Sequence, residues 1–165
     1  MLEQPSLWLS APSLAWPPGL PRTGRWLRRV LAPDTRQSLG HVAITPSRWL
    51  PWPAGRRVAA YEEPDASLLF TARQIRGFWP VTTIAEADGN LVARMYGPTV
   101  MSPSYRFVAQ RGAFATRRAG SFVSRSGADL IRWEPDGTGT VVHIIAEVRR
   151  EPFVLMALLA AMLMM

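Results

Sequence analysis

Hydrophobic and polar positions alternate in short blocks from about residue 25 to residue 149, and the alternation stops in a final stretch that is apolar at every position. A period of two marks a half-buried β-strand, because successive side chains point to opposite faces of a sheet. Ser67 to Ile75 carries this signal, with Leu68, Phe70 and Ala72 on one face and Leu69, Thr71 and Arg73 on the other. Trp26 to Leu31, Leu39 to Ile44 and Arg57 to Tyr61 read as strands before it. Val81 to Ala87 and Leu91 to Tyr96 flank Asp88-Gly89-Asn90, whose Asp-Gly step supplies the positive φ angles of a tight hairpin. Tyr105 to Gln110 and Ser121 to Ser124 follow. A second hairpin joins Leu130 to Glu134 with Thr140 to Arg149, placing Val142, Ile144, Ala146 and Val148 on one face of the return strand.

Residues 153–165 contain no charged and no polar side chain. Pro152 suits a first helical position, where its missing N–H costs nothing, and Ala, Leu and Met are strong helix formers. A helix that is apolar all round must be enclosed all round. The stretch spans roughly 20 Å at helical rise, short of the ~30 Å of a bilayer core, so the expectation is a buried helix and no transmembrane span. Phe153, Leu155, Met156, Leu158, Leu159 and Met162 are its expected core residues, and Ala157, Ala160 and Ala161 offer a small face for close approach. About ten hairpin-linked strands followed by one apolar helix suggest an antiparallel meander closed into a barrel, since closure removes exposed edges. The helix then fills the barrel interior.

Residues 1–22 break this pattern. Pro5, Pro12, Pro17, Pro18 and Pro21 oppose a helix or a central strand, and Leu7, Trp8, Leu9, Leu14 and Trp16 make the segment apolar. It reads as a Pro/Trp-rich, poorly ordered tail that docks in part on a domain formed by residues 23–165. It lacks the positive n-region of a signal peptide.

Composition narrows the function more than it identifies one. The chain has no cysteine, which excludes disulfides and thiolate metal sites. Its formal net charge is +7, and every basic residue is arginine. A basic balance of this size favours anionic surfaces, whether lipid or nucleic acid. Trp49-Leu50-Pro51-Trp52-Pro53, with Arg48, Arg56 and Arg57 beside it, is the least core-like apolar stretch. Arg48, Trp49, Trp52, Arg56 and Arg57 are therefore the lipid-binding candidates. His41 and His143 read as strand-face histidines, and Glu62, Glu63 and Asp65 as a solvated turn. No G-x-S-x-G, H-E-x-x-H or Walker motif occurs, so no catalytic residue, metal or cofactor is expected.

Four segments in order resemble a known superfamily: Leu39-Gly40-His41-Val42, then Ser67-Leu68-Leu69-Phe70-Thr71-Ala72-Arg73, then Val81 to Val92 around Asp88-Gly89-Asn90, and last Glu151-Pro152-Phe153 opening the terminal helix. Over about residues 25–165 the chain resembles the phospholipid scramblase-like, LURP-one-related and tubby C-terminal superfamily. The resemblance implies a mostly β fold, a closed antiparallel meander barrel of roughly twelve strands around a central hydrophobic C-terminal α-helix. The chain is similar to domains that bind phospholipid, and with the absent catalytic motifs and the basic charge the expectation is a non-enzymatic, cytoplasmic domain that binds anionic phospholipid peripherally at a membrane surface. The chain departs from that superfamily in lacking an acidic calcium segment, a cysteine-rich palmitoylation run and the lysine-bearing motifs of phosphoinositide binding. The alternative expectation is a nucleic-acid-binding or structural partner-binding barrel whose basic charge is incidental.

Overall fold

The computed structural model describes residues 1–46, 56–75, 80–97, 104–108 and 113–164. The chain is mostly β, an antiparallel meander followed by a C-terminal helix. The strands are β1 (Ser6–Leu9), β2 (Trp26–Leu31), β3 (Ser38–Pro46), β4 (Arg56–Glu62), β5 (Ser67–Ile75) and β6 (Val81–Glu86). They continue as β7 (Leu91–Tyr96), β8 (Ser104–Val108), β9 (Ala113–Arg118), β10 (Ser121–Val123), β11 (Asp129–Asp136) and β12 (Gly139–Ile144). Two helices close the chain, α1 (Ala146–Arg149) and α2 (Pro152–Leu163).

From β2 to β12 each strand pairs with its sequence neighbours. β1 pairs with β12 from Ser6↔His143 to Leu9↔Thr140, and with β2 at Trp8↔Leu31 and Leu9↔Val30. The β1–β2 seam carries further bonds. Ser10 N–H donates to the Arg29 carbonyl at 3.0 Å, and Ser13 and Leu27 exchange two bonds of 2.8 Å. Arg28 sits across this seam. Its Nε donates to the Ser10 carbonyl at 2.6 Å, and its Nη2 reaches the Leu9 carbonyl at 3.4 Å and Thr140 Oγ1 at 3.2 Å. Burial lowers the Arg28 pKa from its ordinary value.

The alternation that predicts β2 to β7 and β10 to β12 corresponds to real burial. Val42, Val58, Phe70, Ile84, Met95, Phe122, Ile131 and Val142 all lie inward at 2 % exposure or less. One apolar cluster joins inward residues of β1–β7 and β9–β12 with Val148 of α1, with α2 from Leu155 to Leu163 and with Met164 at its C-cap. The sheet therefore curls around α2. Leu155, Met156, Leu158, Leu159 and Met162 are buried, whereas Phe153, in the first turn, is half-buried and packs on the edge of the cluster. Among the described residues no helix is long and apolar enough to cross a membrane.

Four features depart from the sequence reading. Residues 6–9, assigned to the tail, form β1, with Leu7 and Leu9 inward at 1 % and 2 % exposure. Four residues of period two fit between Pro5 and Pro12, so the prolines flank the strand instead of breaking it. Residues 113–118, to which the alternation assigns no strand, form β9, whose buried Ala115 is too small to mark a strand face. The return strand read to Arg149 ends at Ile144, and residues 146–149 turn into α1, which still buries Val148. The two leucines of β5 also exchange faces. A bulge between Ala60 and Tyr61 skips Leu69 in the β4–β5 register, so Leu69 packs inward and Leu68 outward. One extra residue on a strand reverses the alternation beyond it.

A second apolar layer lies outside the sheet. Leu27, Ala43 and Tyr61 are buried on the outer face beneath Trp16 and Leu20, beside Ala59 and Leu68. The segment between β1 and β2 thus forms a strap over β2, β3 and β4. Its end is pinned by a 2.8 Å bond between Thr23 Oγ1 and the Tyr61 hydroxyl, and by Thr45 Oγ1 donating to the Thr23 carbonyl at 2.7 Å. A Cβ on Gly24 would stand 3.0 Å from the Ile44 backbone nitrogen, so glycine lets the strap lie against β3.

Candidate functional site

Strand alternation splits the two candidate arginines of β4. Arg56 turns to the end of α2, where its Nη1 donates to the Met164 carbonyl at 3.0 Å. That bond satisfies a helix-terminal carbonyl and sets a positive charge at the negative end of the helix dipole. Arg56 thus acts in the frame of the fold, away from the outer face. Arg57 turns outward and is exposed. Arg48, Trp49 and Trp52 lie outside the described residues.

The register places Arg57 in a row that the sequence reading did not assemble. Across β3 to β7 the outward partners run Thr45↔Arg57, Arg57↔Arg73, Arg73↔Thr83 and Thr83↔Arg94. Directly opposed Cβ atoms lie about 4.5–5.5 Å apart, so Arg57 and Arg73 are immediate neighbours and Arg94 stands two strands further on, about 10 Å away. All three arginines are exposed. The ion pairs among the described residues involve none of them. Like charges directly opposite each other destabilise a sheet, and among the described residues no carboxylate pairs with them to offset this.

Charge is segregated along these strands. The β4–β5 turn region carries Glu62, Glu63 and Asp65, and the β6–β7 turn region carries Glu86 and Asp88. Arg56, Arg57, Arg73 and Arg94 lie towards the opposite strand ends. Exposed Ile75 and Tyr96 flank the arginine row on the outer face, at 57 % and 38 % exposure. The row is therefore a cationic stripe with apolar and aromatic neighbours.

Beside the stripe is a groove of about 440 Å³ between the free edge of the strap and β5. Ala43, Ala59 and Thr71 give it a floor of small side chains, Tyr61 and Leu68 wall one end, and Arg57 and Arg73 also line it.

The histidines occupy two separate places. His41 is buried on β3, 3.4 Å from Glu63 Oε1, and that oxygen also accepts from Ser38 Oγ at 2.8 Å. Burial lowers the His41 pKa, Glu63 opposes that shift, and Arg29 adds to it. His143 lies on the outer face of β12, with Nδ1 3.0 Å from Ser6 Oγ and Nε2 3.5 Å from Glu134 Oε1. These residue types match an acyl-transfer triad, but the imidazole and carboxylate are 45 % and 53 % exposed on an open sheet face. Water there screens the polarisation a triad depends on. No group of three or more His, Cys, Asp or Glu able to hold a metal occurs among the described residues.

Sequence reading found Arg57 from its neighbourhood and placed Arg73 on the polar face of its strand. It did not join them or find Arg94, because a transverse row exists only once the strand registers are fixed. No family model matches the chain, and neither a curated protein nor a solved structure matches it.

Proposed function

We propose that this chain is a non-enzymatic domain that binds anionic phospholipid surfaces peripherally, through the outward row Arg57, Arg73 and Arg94. In this reading it is a cytoplasmic protein of the scramblase-like, LURP-one-related and tubby-like type, a closed barrel around an axial helix. The observation that carries the function is the Arg57↔Arg73 pair, two exposed arginines in direct register with no carboxylate within ion-pair distance among the described residues. An anionic surface relieves that repulsion and releases counterions, and flanking Ile75 and Tyr96 suit the boundary between headgroup and acyl chain. Support for barrel closure comes from the β1–β2 register and the Arg28 bonds across the seam.

The test is co-sedimentation with neutral and anionic vesicles at low and high salt. Anionic vesicles should bind the protein in low salt and release it in high salt. Each arginine near the surface contributes about 1 kcal/mol, so Arg57→Gln and Arg73→Gln should each weaken binding about fivefold. Equal binding to both vesicle types at low salt refutes the reading, and tighter capture of an oligonucleotide by the same arginines replaces it with nucleic-acid binding. Turnover that disappears in His143→Gln refutes its non-enzymatic part.

A further inference from the structure

We infer that the groove between the strap and β5 is a binding site for one single-chain alkyl phosphate, a monomeric anionic amphiphile whose head lies between Arg57 and Arg73 and whose chain runs towards Tyr61 and Leu68. This rests on the reading of the Arg57–Arg73 pair as an anion contact and adds an occupant and a direction to it. Three observations carry it.

The groove has two chemically different ends. At one, Arg57 and Arg73 stand directly opposite each other on adjacent strands and both line the groove, and Arg is suited to bidentate recognition of phosphate. At the other, Leu68 and the ring of Tyr61 are apolar. The Tyr61 hydroxyl is already hydrogen-bonded to Thr23 Oγ1 at 2.8 Å. A ligand that complements both ends carries an anion and a hydrocarbon chain.

The floor is built from small side chains. Ala43, Ala59 and Thr71 leave space where larger side chains would fill the outer layer, and the resulting volume of about 440 Å³ falls within the range of small-molecule sites.

The strap stops where the groove begins. Trp16 and Leu20 pack on the outer cluster that contains Leu27, and Thr23 stands at the groove margin. The same outer apolar layer therefore has a portion covered by the chain itself and a portion left open beside two arginines that form no ion pair among the described residues.

The experiment titrates the full chain calorimetrically with decyl phosphate below its micelle concentration, and with decanol and inorganic phosphate as controls for chain and charge. One saturable site is expected for decyl phosphate, at least about tenfold tighter than either control. Each buried methylene changes affinity about fourfold, so octyl phosphate should bind about sixteenfold more weakly. Ala59→Trp and Thr71→Trp are two independent ways to fill the groove while keeping both arginines. Each variant whose circular dichroism matches the parent should lose the site but still sediment with anionic vesicles. Unchanged decyl phosphate affinity in either folded variant overturns the inference, as does non-saturating uptake or equal binding of decanol. Loss of vesicle binding in Arg57→Gln/Arg73→Gln, with no decyl phosphate site in the parent, removes the groove and retains the surface. Vesicle binding that is insensitive to those arginines removes the surface reading itself.

Discussion

Replacing Arg28 with methionine should open the seam between β1 and β2. The two strands share two register pairs, Trp8↔Leu31 and Leu9↔Val30, and past them the seam is held by the Ser10–Arg29 and Ser13–Leu27 backbone bonds and by the Arg28 side chain, which also ties it to β12. Methionine keeps most of the apolar stem and removes the guanidinium. Three contacts disappear: the 2.6 Å bond to the Ser10 carbonyl, the 3.4 Å bond to the Leu9 carbonyl and the 3.2 Å bond to Thr140 Oγ1. A hydrogen bond to a charged group contributes about 1.5–3 kcal/mol net, and only the first of these is short. Relief of the buried charge, whose cost is visible in the lowered Arg28 pKa, offsets part of the loss. A net destabilisation of about 2–3 kcal/mol is expected, equivalent to roughly 5–10 °C in Tm for a chain of this length. Urea unfolding measures the total, and amide exchange at Leu7 and Leu9 locates it, because a loosened seam should expose β1 before the other strands. Arg29→Gln, at the exposed neighbour, should stay within about 0.5 kcal/mol of the parent. If Arg28→Met unfolds at the parent's urea midpoint and β1 exchange is unchanged, the seam does not depend on this side chain and the reasoning fails.

Three further outcomes are expected. Leu158→Ala, at 0 % exposure on α2, should cost about 2–5 kcal/mol in urea unfolding, and a chain ended after Arg150 should lose cooperative unfolding altogether; a folded, monomeric truncation would show α2 to be dispensable. Gly40→Ala should cost about 1–3 kcal/mol or more, because the added Cβ would stand 2.1 Å from the Tyr61 carbonyl oxygen; an unchanged midpoint would mean that β3 and β4 separate there without cost. For His41 the folded pKa lies below the unfolded value of about 6.5, so the unfolded chain binds more protons in that window. Stability should therefore fall as pH drops below the ordinary histidine range and stay level above it. His41→Asn should flatten that part of the pH profile, and a parent slope retained in the variant would assign it to other groups.

The alternation of apolar and polar residues determined most of the strands by itself, since a half-buried strand requires period two over its own length. The composition of residues 153–165 likewise called for an enclosed helix, because no face of it tolerates water, and α2 is buried from Leu155 to Leu163. What local pattern could not decide depends on partners distant in sequence. β1 is too short to read as a strand until β12 and β2 are seen on either side of it. Leu68 and Leu69 exchange faces because of a bulge set by the β4 partner, which leaves no mark in the β5 sequence. Arg56 and Arg57 are adjacent and chemically identical, yet one binds the end of α2 and the other enters the outer row. The row Arg57, Arg73 and Arg94 is the furthest from legibility. Its members belong to three different strands, and only the hydrogen-bond register of the folded sheet brings them into line.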